Sequence, residues 1–147
     1  MSQLPARNLP AQDLAREAAR LTLTKRAEDV VILDLRDLDG VCDYFVLATG
    51  QSEVQTRAIA DAVDEGMRAR GMRPWHVEGY EARRWILLDY VDFVVHVFSE
   101  KARKFYDLER LWKSAKRLEP SDLKAAPRAR KAATKTAAPK KKRKVKA

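Results

Sequence analysis

The chain has 147 residues, enough for one domain of ordinary size. Its 30 Lys and Arg against 21 Asp and Glu give a formal net charge of +9 and a pI near 9.8, the totals of a nucleic-acid binder. Yet residues 121–147 hold 11 basic residues and one acid, Asp122, for +10, and residues 1–120 sum to −1. The basic character therefore belongs to the tail, and a function for the first 120 residues cannot rest on the pI. No apolar run approaches the roughly 18 residues of a membrane helix, and the first twenty residues lack the apolar core and cleavage site of a secretory signal. Cys42 is the only cysteine and the two histidines are distant from it, so neither a disulfide nor a metal cluster is expected. A reducing, cytoplasmic compartment is the expectation.

In chain order, Pro10 and then Ala11–Arg26 read as a first helix, with Asn8 as its N-cap and Leu14, Ala18 and Leu21 as its apolar stripe. The β-branched run Asp29–Leu35 predicts a strand, followed by an aspartate-rich loop over Arg36–Asp43. Tyr44–Thr49 is apolar on both faces, which suits a central strand covered on each side. Ser52 with Gln55 fits a capping box for a second helix, which Gly71 ends. Trp75–Gly79, Trp85–Tyr90 and Phe93–Phe98 are strands whose short links allow only antiparallel hairpins. Ser99 and Glu100 cap a last helix, Lys101–Leu118, with Phe105, Leu108, Leu111 and Trp112 as its stripe. The expected fold is an α/β sandwich with a mixed five-stranded sheet over residues 10–118. Residues 1–9 read as a flexible N-terminus. Residues 119–147 read as a disordered Lys/Ala/Pro tail, where only Leu123 and Val145 are large and apolar.

Four constellations carry chemistry. Gly50-Gln51-Ser52 stands at a strand-to-helix junction, where amides can hold an anion. The turn resembles that of nucleotidyltransferases, but these need two carboxylates at i, i+2 on one strand face for Mg²⁺. The nearest pair here, Asp89 and Asp92, is spaced i, i+3, and Val91 stands where the second carboxylate belongs. A capped helix after a tight turn is the better reading. His76 and His96 have no evident nucleophile, and a strand histidine is more often structural or interfacial than catalytic. Trp85, Leu87 and Asp89 share one strand face, with Ile86, Leu88 and Tyr90 on the other. A carboxylate beside a Trp, with Asp92, Phe98 and Tyr106 nearby in sequence, has the make-up of an interface anchor as much as of a core edge. Pro139–Val145 matches a well-known viral nuclear import signal letter for letter, but such runs are common in Lys/Ala/Pro tails. The general reading of Lys140, Lys141, Lys142, Arg143 and Lys144 is salt-dependent association with RNA phosphates.

DYFVLATGQSEVQTRAIADAV (Asp43–Val63), VEG (Val77–Gly79), WILLDYVDFVVHVF (Trp85–Phe98) and ARKFYDLERLW (Ala102–Trp112) together resemble the ribosomal silencing factor family, also called Iojap-related, across residues 10–113. The resemblance implies a nucleotidyltransferase-like fold without the catalytic carboxylates, no enzyme activity, and no cofactor, metal or small-molecule substrate. It implies binding to the large ribosomal subunit through its fourteenth protein, steric blocking of joining with the small subunit, and lower translation under nutrient limitation. On this chain it transfers partner binding to Trp85, Leu88, Asp89, Tyr90 and Tyr106, and it implies self-association of the free factor as a homodimer; Asp92, His96 and Phe98, close by in sequence, are candidates for an additional interface. Two readings from other classes stand beside it. One is a nucleotidyltransferase with an irregular metal site, motivated by Gly50, Ser52 and Asp89; the other is an RNA-binding module carried by the basic tail, which would touch rRNA.

Overall fold

A computed structural model describes residues 9–38 and 42–118. The expected N-cap Asn8 and the whole basic tail lie outside these. Leu9, at the end of the segment expected to be flexible, packs against the core. Helix α1 (Ala11–Leu23) starts at Pro10 and buries Leu14, Ala15, Ala18, Ala19 and Thr22, a stripe made narrow by its alanines. It ends three residues before the expected Arg26, where Arg26 and then Asp29 take left-handed backbone (φ +63° and +50°) and turn the chain into β1 (Glu28–Asp34).

Strand β2 (Tyr44–Gly50) is buried along its whole length, as its two apolar faces require. It pairs antiparallel with β1 and parallel with β5 (Phe93–Ser99), Tyr44 against Phe93 through Gly50 against Ser99. Helix α2 (Glu53–Ala69) provides the first part of the crossover between these parallel partners, and Gly71 (φ +84°) stops it as expected. Strands β3 (His76–Glu78) and β4 (Trp85–Asp89) then complete the crossover as a hairpin beside β5. Gly79 is required in this hairpin. Its φ is +77°, and a Cβ there would lie 2.0 Å from the Trp85 carbonyl oxygen.

Two expectations are corrected after β5. The last helix is not one element over Lys101–Leu118: α3 (Glu100–Tyr106) breaks at Asp107, which is left-handed (φ +48°), and α4 (Leu108–Leu111) restarts at a new angle. Aspartate is among the few residues that tolerate that conformation. The Arg103 guanidinium holds the break, donating to both Glu109 carboxylate oxygens (3.1 and 3.2 Å) and to Thr49 Oγ1 (2.7 Å). The sheet has six strands and not five, because β6 (Lys116–Leu118) pairs antiparallel with β1. The strand order is β3-β4-β5-β2-β1-β6.

The two faces of this sheet are covered unequally. Alternate residues Tyr44, Val46, Ile86, Leu88, Val95 and Val97 join α1 and α2 in the larger core. Their neighbours Phe45, Leu47, Val94 and Phe98 face the other way, where Ala102, Ala115, Leu108 and Trp112 from the chain after β5 provide the cover. Long helices on one face and short ones on the other leave part of the second face open.

Candidate functional site

The open part lies where β4 and β5 meet α3. Trp85, first residue of β4, stands opposite Phe98 on β5, and the two rings are 5.1 Å apart. From α3, the Tyr106 ring comes within 4.5 Å of the indole. Tyr106 is half-exposed and Phe105 beside it is 78% exposed, its ring 4.9 Å from that of Tyr106. Three aromatic side chains are thus gathered on one surface, a feature uncommon on a solvated face without a partner. The indole N–H does not point outward: it donates to His96 Nδ1 at 3.0 Å.

Asp89 lies on the same face at the far end of β4, about 13 Å along the strand from Trp85. Its carboxylate accepts from the Val91 amide (2.8 Å) and so also shapes the turn into β5. Val91 takes φ +74° there, and Asp92 beside it is exposed. Cys42 is close enough for the charges of Asp89, Asp43 and Asp92 to act on it. Burial chiefly, and those carboxylates in addition, push its thiol up to about 12, so it stays protonated and donates to the Tyr44 carbonyl.

The residues transferred from the family resemblance do not form one surface. Trp85 and Tyr106 are in ring contact, with Asp89 at the other end of the same strand face. Leu88 and Tyr90 point to the opposite face and are buried in the larger core, 2% and 3% exposed. Tyr90 stacks on Phe93 (4.9 Å), and burial raises its phenol. Of the additional residues, Asp92 is exposed, whereas His96 and Phe98 are buried behind Trp85. Phe105 is the residue that the sequence reading misplaced. Its spacing with Leu108, Leu111 and Trp112 suggested a buried stripe, but the break at Asp107 turns only Leu108 and Trp112 inward and leaves Phe105 and Leu111 exposed.

At Gly50-Gln51-Ser52 the turn is closed by hydrogen bonds within the chain. Ser52 Oγ accepts from the Gln55 amide (3.0 Å), Gln55 Oε1 accepts from the Gln51 amide (2.6 Å), and the Thr56 amide donates to the Ser52 carbonyl. With Glu28 and Glu53 beside it, the turn is a capped helix start. Among the described residues no group of three His, Cys, Asp or Glu side chains is placed to hold a metal ion, and no helix is long and apolar enough to cross a membrane. His76 lies on the exposed edge strand, its Nε2 2.7 Å from Glu78.

The family model described as "Ribosomal silencing factor during starvation" (RsfS) matches residues 8–145. This chain belongs to the RsfS family. It is similar to the ribosomal silencing factor RsfS of Halalkalibacterium halodurans, 38% identical over 108 residues that cover 74% of this chain and 92% of the relative. It is also similar to that of Bacillus subtilis, 41% identical over 91 residues, 62% of this chain and 77% of the relative. A crystal structure of a protein from Chromobacterium violaceum superposes with a TM-score of 0.67 at 31% identity, over 69% of this chain and 85% of that one. An RsfS-family chain is a ribosome-silencing regulator, and the open aromatic face has to be read in that light.

Proposed function

We propose that this protein represses translation in the cytoplasm by docking on the large ribosomal subunit, at its fourteenth protein, and sterically blocking the small subunit. The observation that carries this reading is the aromatic platform of the partly buried Trp85 with the exposed Tyr106 and Phe105, in a chain of the RsfS family. The platform sits on a six-stranded sheet braced by helices on both sides, so it presents a rigid patch without chemistry. Asp89 and Asp92, on the turn beyond it, offer negative charge to a basic ribosomal protein, which favours encounter and register. Leu88 and Tyr90 support the surface from the core behind it. The frame reads as a nucleotidyltransferase fold whose carboxylate positions are not filled. A domain of about 110 residues has a radius of gyration near 13 Å, far more than the gap between two joined ribosomal surfaces, so docking there is enough to exclude the other subunit.

Cosedimentation with purified large subunits, together with a subunit-joining assay, tests the proposal. Trp85→Ala is expected to abolish binding and anti-association, and Tyr106→Ala to weaken binding about tenfold or more, the range for aromatic anchors at an interface. Silencing by Trp85→Ala at the level of the parent would show that the surface is elsewhere.

A further inference from the structure

His96 is a costly residue for its place. It lies in the middle of β5, 3% exposed, with Phe45 edge-to-face at 4.6 Å and Phe98 stacked at 5.9 Å. A buried polar ring is penalised unless its nitrogens are bonded, and a valine or phenylalanine would fill that volume without penalty. The side chain makes one hydrogen bond, from the Trp85 indole N–H to Nδ1; Nε2 has none. Indole N–H is a donor only, so Nδ1 must be the unprotonated nitrogen and the proton sits on Nε2, against the aromatic wall. Trp85 and His96 are diagonal neighbours on adjacent strands, with Trp85 opposite Phe98 and His96 opposite Leu87. The indole is therefore fixed at its N–H by β5 and held by ring contacts with Phe98 and Tyr106.

We infer that His96 is a positioning residue for the docking platform: it accepts the Trp85 indole N–H from within the sheet, so that Trp85 meets its partner with ring carbons alone. This rests on the docking role proposed above and adds the chemistry of the contact. The partner needs an apolar, flat recess at Trp85 and no hydrogen-bond acceptor there. Without His96 the indole N–H would have to find water or a partner atom, which the present orientation does not allow, and the ring would turn or become mobile.

The full chain with ¹⁵N-labelled tryptophan tests this. Removing the acceptor in His96→Phe, which keeps ring volume, is expected to lose the hydrogen-exchange protection of the Trp85 indole N–H. Cosedimentation with large subunits should then weaken about fivefold, because a mobile indole has to be ordered again on docking. His96→Gln restores an acceptor and should recover much of both readouts, a rescue that mere core filling would not produce. The inference is overturned if the indole N–H of the parent exchanges freely, if His96→Phe binds as the parent does, or if His96→Gln is no better than His96→Phe while both retain the parent's circular dichroism. Absence of cosedimentation by the parent protein would remove the docking role itself. Loss of protection with unchanged binding removes only the role of His96.

Discussion

Burial of His96 has a consequence for acid stability. Desolvation lowers its pKa from the ordinary 6.5 to about 3, and the rings around it, Trp85, Phe45 and Phe98, carry no charge to offset this. Between those values the unfolded chain binds a proton at His96 and the folded chain does not. Folding therefore loses stability as the pH falls below about 6.5, on the order of 1 kcal/mol per pH unit. The urea midpoint should drop between pH 7 and pH 5, and His96→Phe should flatten that slope; equal slopes would mean that other groups dominate. The same residues show what was legible at this scale. The period-2 alternation of β4 already put Trp85 and Asp89 on one face and Leu88 and Tyr90 on the other, and the structure keeps that division. It was the transfer of family positions as one group that joined them. What alternation could not give is depth. His96 and Phe98 share the face of Trp85 but lie beneath it, which only the crossing of α3 over β5 decides.

Among the elements, the turn between β4 and β5 is the strained one. Val91 is β-branched and left-handed (φ +74°), in a tight turn closed by the Asp92 amide donating to the Tyr90 carbonyl (2.8 Å). Val91→Gly is expected to stabilise the fold by about 0.5–1 kcal/mol after the added entropy of the unfolded chain, raising the melting temperature by a few degrees. Calorimetry decides it; a lower melting temperature would mean that the half-exposed valine packs more than it strains. Strands β1, β2, β4 and β5 were readable because their apolar runs are long enough to show a period. Residues 100–118, after β5, were not. Phe105, Leu108, Leu111 and Trp112 satisfy a helical period that the chain abandons at one aspartate, and Lys116–Leu118 is too short and too polar to announce a strand. Its place at the sheet edge comes from pairing with β1, a tertiary fact.

For the whole molecule, charge separates two regions. A near-neutral body of 120 residues carries the proposed docking surface, and the +10 segment that follows lies outside the described structure. For Lys140, Lys141, Lys142, Arg143 and Lys144 we propose a salt-dependent contact with RNA phosphates, one that would add affinity without adding specificity. Deleting residues 121–147 should weaken cosedimentation in low-salt buffer and leave silencing intact at physiological salt. Complete loss of silencing would make the tail the effector.

The parallel pairing of β2 with β5 also orders events in time. The sheet's centre joins Tyr44–Gly50 to Phe93–Ser99, with a helix and a hairpin between them. A chain emerging from a ribosome during synthesis exposes β2 long before β5 exists, so its central strand waits with one edge unpaired. The aromatic platform needs Trp85, Phe98 and Tyr106 and therefore forms only after the centre has closed. Under the proposed docking role, a copy made only part-way would have no surface with which to engage a ribosome, and competence to silence would wait until the chain through Tyr106 has folded.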